Sequence, residues 1–464
     1  MRDAVLHASG PPHVPARRKA TGPRARCVRA GRAPGHATEG RHAIVSRQGR
    51  KRPSTFRTAS TGFTRDVNRA AILRLIGTAG PIARKTIATE LGLSSATVTG
   101  ITRELLAQGL IHVAERAPSN GGRPALLLEL VGEAAIALGA KIAVDHVVGV
   151  RVDLEARVLE RFESPFDAAA DGAIDRLADI LAGWIGGSDG HPPLLGVGIG
   201  VPGVFDAATG ELDSPLLGWR GVHVGKRLQA RLGAPVYVDN DVNTLAVWER
   251  LYGRGRDSEH FITVTIGRGV GLGIVAGGDI YRGFRGGAGE FGHVSMTAGG
   301  PDDGPLCTCG KHGCLEALVG DPALVARGLE LGLLADGDGP AELLRLADAG
   351  DETARGIYAR AGVTLGRATS GLVNVLAPEL VLLSGEGTQA WRWLAADFER
   401  ELRAHLFPAA DSVAIEIDPW DDGKWAVGAA SLVLRATLTG PLEGEANDLA
   451  GARLGARRLE GVVD

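Results

Sequence analysis

Three cysteines within the stretch CTCGKHGCLE place the strongest constraint on how this chain can fold. Cys307 and Cys309 are separated by one residue, and Cys314 follows five positions after Cys309. A disulfide between Cys307 and Cys309 would be badly strained, and three thiolates need a fourth ligand for tetrahedral zinc. His293, fourteen residues before Cys307, can supply that ligand. We therefore predict a structural zinc site made by these four side chains.

The alternative to zinc is a group of three reduced surface thiols, which would be prone to oxidation. Four protein ligands leave no open position for a catalytic water, so the metal would brace a loop. A neighbouring carboxylate, Glu290 or Glu316, would then be held rigidly.

The bulk composition is that of a globular protein of 464 residues, with 44% hydrophobic and 23% charged residues. No apolar run approaches the roughly 20 residues that span a bilayer, so no membrane partner is expected. Four cysteines are too few for a disulfide scaffold, and no secretory signal is recognisable. We therefore expect a cytoplasmic protein.

Residues 1–64 form a basic segment whose first sixty residues contain only Asp3 and Glu39 as acids. Without a lasting apolar period the segment cannot bury enough surface to offset its ordering entropy, so we expect disorder. It is either a basic arm that adds nonspecific affinity for phosphate, or an inert stretch upstream of the true start.

Residues 65–132 carry short apolar repeats that predict a small helical module. The segment RDVNRAAILRLIGTAG is a helix that Gly80-Pro81 stops. Two further helices follow in ARKTIATELGLSSATVTGITRELLAQGL; they are separated at Gly92, and Ser94 is placed as the N-cap of the second. The predicted inward faces are Val67, Ala71, Ile72, Leu75 and Ile76 in the first helix, Ile87, Ala88 and Leu91 in the second, and Val98, Ile101 and Leu105 in the third.

Two short helices joined by a glycine-containing turn are typical of a helix-turn-helix, whose second helix enters the major groove of DNA. The segment IHVAERAPSNGGRPALLLEL predicts a hairpin wing behind it. Ser95, Ala96, Thr99 and Arg103 face outward as candidate DNA contacts, and Arg123 at the wing could reach phosphate or the minor groove. Operator DNA is the expected partner; the alternative is a packing module that binds no nucleic acid.

Residues 133–440 alternate between strand and helix patterns, which predicts an α/β fold with ligand loops at strand ends. AIALGAKIAV and VVGVRVDL are predicted as adjacent strands, and AIDRLADILAGWI as a helix. LLGVGIGVPGVFD and ELVLLSGEG are predicted as buried strands that run into glycine loops. Residues 441–464 carry no signal and are treated as a tail.

The segment VYVDNDVNTLA is predicted as a buried strand that ends in a cluster of acids and amides. Asp239 is expected to form a turn at the strand end, and Asn243 to cap the following helix. A sugar is a ring of hydroxyl groups, which carboxylates and amides satisfy better than an apolar pocket does.

The segments NDVN, GEFGH and CTCGKHGCLE resemble the signatures of the ROK family (repressors, open reading frames, kinases). The N-terminal helix-turn-helix with GGRP resembles the repressor branch of that family. The resemblance implies a two-lobed, actin-like (ribonuclease-H-like) α/β fold with a sugar in the cleft. It also implies that Asn240, Asp241, Glu290, His293 and Glu316 bind the sugar, with His293 shared with the zinc.

ROK kinases transfer a phosphoryl group, which needs a base, a phosphate cradle and magnesium. Asp241 would be the base. TIGRGVGLG could expose backbone N–H groups to phosphate, although Arg268 stands where these kinases carry Thr. SGEG, residues 384–387, matches their adenosine-side glycine loop.

The first phosphate motif of ROK kinases, Asp-x-Gly-Gly-Thr, aligns with KIAVD, residues 141–145. Lys141 replaces the acid that helps to position magnesium, and it cannot bind a cation. The Cβ atoms of Ala143 and Val144 would crowd a close phosphate. We therefore expect a regulator without catalytic activity.

The resulting hypothesis is a sugar-responsive transcriptional regulator, a repressor of carbohydrate uptake or catabolism genes, acting as a homodimer or higher homo-oligomer. The runner-up is an ATP-dependent sugar kinase with a DNA-binding domain. A third hypothesis is a regulator that answers to a partner protein and keeps a vestigial sugar site.

Overall fold

The computed structural model describes residues 61–116, 125–186, 192–300, 302–410, 412–419, 421 and 423–439. Arg123, most of the predicted N-terminal arm and the predicted tail lie outside these residues. Within the described part of the chain, no helix is both long enough and apolar enough to cross a membrane.

The helices of the described residues are α1 (Thr61–Ala79), α2 (Arg84–Glu90), α3 (Ser95–Ala107), α4 (Ala173–Gly186), α5 (Val224–Leu232), α6 (Asp241–Leu251), α7 (Glu316–Val319), α8 (Asp321–Glu330), α9 (Pro340–Asp348), α10 (Glu352–Leu376), α11 (Trp391–His405) and α12 (Gly423–Thr439). The strands are β1 (Ile82–Ala83), β2 (Ile111–Arg116), β3 (Leu126–Leu130), β4 (Ile136–Ile142), β5 (His146–Asp153), β6 (Val158–Pro165), β7 (Leu194–Val201), β8 (Val204–Asp206), β9 (Glu211–Ser214), β10 (Trp219–Val222), β11 (Val236–Asn240), β12 (Phe261–Ile266), β13 (Val270–Ala276), β14 (Asp279–Ile280), β15 (Leu380–Ser384) and β16 (Ala414–Ile417).

The first module is a winged helix, as the apolar periodicity predicted. Ser94 caps α3, because its hydroxyl accepts a hydrogen bond from the Thr97 amide at 3.1 Å. Val98, Ile101 and Leu105 of α3 are buried, as predicted. Strands β2 and β3 form the antiparallel wing, and β1 pairs with the far edge of β3.

Two five-stranded sheets form the larger part of the chain, in the orders β11-β7-β4-β5-β6 and β14-β13-β12-β15-β16. The two sheets repeat one pattern. Three consecutive antiparallel strands begin each sheet, and two later strands extend it in parallel. A separate small sheet of order β10-β9-β8 follows β7 along the chain. The predicted adjacency of AIALGAKIAV and VVGVRVDL is confirmed by the pairing of β4 with β5.

Helices α6 and α12 pack together and lie between the two sheets. On one side, α12 rests on β4 and β7 at Gly139 and Gly198; a Cβ at Gly198 would lie 1.8 Å from the Ala429 carbonyl oxygen. On the other side, α6 rests on Gly271 and Gly273 of β13. Glycine is therefore required where these helices approach the sheets.

The winged helix joins the α/β part through α1, which packs against α12. Ile72 and Ile76 of α1 share one apolar core with Val433 and Leu434 of α12. Helix α1, which leads into the winged module, is therefore in direct contact with α12, which lies between the two sheets.

Candidate functional site

Asn240 ends β11 and caps α6, so the acid-amide cluster stands at a strand-to-helix turn. Its side-chain oxygen accepts hydrogen bonds from the amides of Val242 (2.9 Å) and Asn243 (3.2 Å). Its amide nitrogen donates to the Gly203 carbonyl oxygen at 3.0 Å. Because a side-chain amide has two N–H groups, one remains to donate to a ligand.

The expectation that Asn243 caps α6 was wrong, because Asn240 does so. Asn243 is buried and donates to Asp239 at 3.0 Å. Asp239 does more than form a turn. It is buried, and its other carboxylate oxygen accepts hydrogen bonds from Nε (2.8 Å) and from a terminal nitrogen of Arg282. This charged pair ties β11 to the loop that carries GEFGH, an arrangement that sequence reasoning missed.

Asp241 is the first residue of α6, and its carboxylate forms an ion pair with Lys141 of β4. The other carboxylate oxygen accepts a hydrogen bond from the Val242 amide at 3.0 Å. The Lys141 ammonium also lies 4.1 Å from the centre of the Trp425 ring, a cation–π contact. Lys141, which is predicted from the sequence to replace the acid of the kinase motif, therefore binds the carboxylate that would act as the base of a kinase.

Glu290, His293 and Glu316 lie near one another at the mouth of the same site. The Glu290 carboxylate is 3.7 Å from His293 Nε2. Surrounding atoms raise the pKa of Glu290 by desolvating it, and the carboxylates of Glu316 and Asp241 add to that increase. Glu316 is held by Thr308, whose hydroxyl donates at 2.7 Å. The structure thus brings Glu290, His293 and Glu316 together and places Glu290 near enough to Asp241 for the two charges to interact.

The four predicted metal ligands converge. His293, Cys307, Cys309 and Cys314 each offer a ligand atom, and these atoms lie within 4.8 Å of one another. The Cys309 and Cys314 sulfurs are 3.7 Å apart, and His293 Nδ1 lies 3.5 Å from the Cys307 sulfur. Because His293 turns Nδ1 towards the cysteines, its Nε2 faces Glu290. The group could hold a metal ion, which would then fix the His293 imidazole beside Glu290.

The predicted second phosphate cradle is occupied by an acid. A Cβ at Gly267 would lie 2.2 Å from a Glu386 carboxylate oxygen, so that side chain covers the loop backbone. Asp321 lies beside it, and its amide donates to the Gly267 carbonyl oxygen at 2.8 Å. Burial, aided by the charge of Glu386, raises the pKa of Asp321 to about 6. Two carboxylates at this place disfavour a polyphosphate.

The outward face of α3 carries the predicted DNA contacts. Ser95, Ala96, Thr99 and Arg103 are all exposed, and the inward face of the helix is buried. Arg123, the predicted wing contact, lies outside the described residues.

The ROK family profile matches residues 137–436, and the MarR family profile matches residues 67–117. The chain is 25% identical over 384 residues to the xylose repressor of Bacillus spizizenii, covering 82% of this chain and 98% of that protein. It is 28% identical over 393 residues to the DNA-binding transcriptional dual regulator NagC of Escherichia coli, covering 82% and 95%.

The fold is similar to that of a solved ROK family transcriptional regulator, a homologue of the E. coli MLC protein, with a TM-score of 0.72. The two chains are 23% identical over 84% of this chain and 99% of that one. The predicted two-lobed actin-like fold with a preceding winged helix is thereby confirmed. Since the family profile spans more than half of the sequence, this chain belongs to the ROK family.

Proposed function

We propose that this protein is a sugar-responsive, DNA-binding transcriptional repressor of carbohydrate uptake or catabolism genes. The observation that carries the proposal is the Lys141–Asp241 ion pair in a chain that also presents an exposed α3. The polar site keeps its ability to bind hydroxyl groups, while its base is already paired. Relatives named as a xylose repressor and as a DNA-binding regulator support the same function.

The sugar lies against Asn240, Asp241, Glu290, His293 and Glu316. Asn240 keeps one N–H to donate, and the carboxylates accept hydrogen bonds from sugar hydroxyls. Glu290, with a side chain 47% exposed, is the member of the ring most open to an entering ligand.

The runner-up, an ATP-dependent sugar kinase, is disfavoured at three places. The base of a kinase must accept a proton from the attacking hydroxyl, and Asp241 is instead paired with Lys141. Ala143 and Val144 put side chains where glycines let the backbone approach phosphate. Glu386 covers the other glycine loop. The protein is therefore a regulator without kinase activity.

The metal is a structural zinc ion held by His293, Cys307, Cys309 and Cys314. Tetrahedral zinc with Zn–S bonds of about 2.3 Å separates two sulfurs by about 3.8 Å, and sulfur from nitrogen by about 3.5 Å. The observed separations of 3.7 and 3.5 Å fit these values. Because four protein ligands complete the coordination shell, the ion has no open position for a substrate. Its role is to hold His293 and the neighbouring loop in place.

The repressor acts in the cytoplasm as a homodimer or higher homo-oligomer, because one small reading head buries little DNA surface. Ser95, Ala96, Thr99 and Arg103 contact the operator through α3, and Arg123 reaches it from the wing. A sugar that binds two lobe arrangements unequally changes the spacing of two reading heads, and with it the affinity for the operator.

A gel-shift assay with the DNA that flanks the coding region tests this function. We expect a complex that one sugar of a hexose and pentose panel weakens. Asp241→Ala should abolish the sugar response and leave DNA binding intact, and Arg103→Ala should do the opposite. If DNA is bound but no sugar changes the affinity, a regulator that answers to a partner protein replaces this proposal.

Incubation with ATP, magnesium and the same sugars tests the kinase hypothesis. We expect no sugar phosphate. Turnover above about 1 per second, an ordinary rate for an enzyme, would show that the protein is a sugar kinase.

A further inference from the structure

A small cleft, open to solvent, lies where the winged module meets the α/β part. Its walls come from α1, from the end of α6, from the turn into β14 and from α12. Each of the three helices contributes one arginine: Arg74 from α1, Arg250 from α6 and Arg435 from α12. None of its lining residues is a predicted metal ligand or a predicted sugar-binding residue.

The positive charge of the cleft exceeds its negative charge. Among its lining residues the one acid is Asp279, which accepts a hydrogen bond from Arg435 at 2.6 Å and is 78% exposed. Burial lowers the pKa of Arg250, and the charge of Arg74 lowers it further. Burial also lowers the pKa of Arg435. Three guanidinium groups thus line a partly desolvated space with one carboxylate among the lining residues, and Glu259, Asp257 and Asp239 lie near enough to act on two of the arginines.

Arg250 also has a donor without an acceptor. One of its terminal nitrogens donates to the Arg256 carbonyl oxygen at 2.5 Å, but its Nε is buried and has no hydrogen-bond partner among the described residues. A buried donor left unpaired destabilises the folded state. The Arg250 guanidinium thus has hydrogen-bonding capacity that the described residues leave unused.

We propose that this cleft binds the phosphate group of a small anion, either inorganic phosphate or a phosphorylated metabolite. Guanidinium groups present several N–H donors in a plane and bind phosphate oxygens in pairs. An anion placed between Arg74 and the other two arginines connects the winged module to α6 and α12. The cleft is lined by eight residues, which suits a phosphate group or a compact phosphorylated molecule rather than a polymer.

The site is placed to influence the repressor. Helix α6 begins with Asp241 at the sugar site and carries Arg250 in its last turn. Helix α12 carries Trp425 beside Lys141 at one end and Arg435 in the cleft at the other. An anion that fixes α1 against both helices therefore biases the same elements that the sugar contacts. This influence on DNA affinity rests on the proposed function; binding of the anion does not.

Isothermal titration of the full chain with inorganic phosphate, at constant ionic strength and without sugar or DNA, tests the site. We expect one saturable site per chain. Arg250→Met and Arg74→Gln should each weaken phosphate binding about tenfold, the effect of losing a charge-assisted hydrogen bond. Arg74→Gln provides the test if Arg250→Met fails to fold. The matched control is Arg176→Gln, at an exposed arginine of α4, which should bind phosphate like the wild type.

Titration with a sugar phosphate and with the parent sugar separates the two sources of phosphate. A phosphorylated metabolite that binds more tightly than inorganic phosphate, and loses that affinity in Arg74→Gln, identifies the larger ligand. Absence of saturable phosphate binding, or equal affinities for the wild type and both cleft variants, would overturn the proposal. Because no sugar or DNA is present, neither outcome depends on whether the protein represses transcription.

Discussion

Replacing Lys141 with methionine tests whether the Lys141–Asp241 pair holds the two lobes' central elements together. Lys141 lies on β4, Asp241 begins α6, and Trp425 on α12 stacks on the ammonium. Methionine keeps the length and the apolar stem of lysine but removes the charge. The Asp241 carboxylate would then remain in its place without a cation.

The expected loss of stability depends on how deeply the Lys141–Asp241 ion pair is buried. The side chains of Lys141 and Asp241 are 20% and 11% exposed. Removing one partner of a buried ion pair costs about 3–5 kcal/mol. Because a fifth of Lys141 reaches solvent, we expect about 3 kcal/mol, which lowers the melting temperature of a domain of this size by about 6 °C.

Differential scanning calorimetry of the full chain measures this change, and a double-mutant cycle with Asp241→Asn isolates the pair. Lys141→Met should lower the temperature of the transition of the α/β domain. The double variant should recover part of the loss, because no unpaired charge remains. Lys226→Met, at an exposed lysine of α5, is the matched control and should leave the transition unchanged.

The coupling free energy decides the outcome. Side chains that interact directly give non-additive effects, whereas independent sites add within about 0.5 kcal/mol. If the effects of Lys141→Met and Asp241→Asn add within that margin, the pair does not exist in solution. Asp241 would then be free of Lys141 and available as a base.

Three further predictions concern the proposed metal, a buried acid and the residues that align with the first phosphate motif of ROK kinases. Cys314→Ser should reduce the zinc content measured by atomic emission from about one ion per chain to a small fraction, and it should blunt the sugar response before DNA binding is lost. Burial raises the pKa of Glu249 to about 7 from an ordinary 4.5. Between these two pH values the folded state keeps a proton that the unfolded state releases. The free energy of unfolding therefore falls as the pH rises from 4.5 to about 7. Glu249→Gln should therefore raise the melting temperature at pH 8, by an amount equivalent to at most about 3 kcal/mol, and change it little at pH 4; an equal change at both pH values would contradict this assignment. The triple variant Lys141→Asp, Ala143→Gly, Val144→Gly should still give no sugar phosphate in a coupled ATP assay, because an acid continues to cover the second glycine loop, and measurable turnover would show that this acid does not block nucleotide.

The winged module could be predicted closely from the sequence because its determinants are local. The apolar period places Val98, Ile101 and Leu105 on one face of α3, and the Ser94 hydroxyl caps the helix three residues before Thr97. Each of these features involves residues within a few turns of one another. The alternation of strands and helices similarly predicts the α/β class, and the spacing of the cysteines predicts the metal cluster.

The electrostatics of the site could not be predicted in the same way, since they depend on contacts between distant parts of the chain. Lys141 and Asp241 are 100 residues apart, and Asp239 and Arg282 are 43 apart. Sequence reasoning recognised Lys141 as a departure from the kinase motif but had no means of assigning its partner. The need for glycine at residue 198 is equally invisible, because it comes from α12, whose backbone lies against β7.

The arrangement of α6 offers a route by which a sugar bound at Asp241, as proposed, would influence the DNA-reading module. The helix has 11 residues and is therefore about 16 Å long. One face of α6 lies on Gly271 and Gly273 of β13, where the helix has no room to bend towards the sheet. The face that contacts α12 is packed equally closely at Gly428 of α12. A ligand that shifts Asp241 would therefore shift the start of a helix whose last turn carries Arg250 and which packs against α12, the helix that contacts α1. Close packing at both faces leaves the helix few arrangements, which is the condition under which two ligands at its ends bias a common equilibrium.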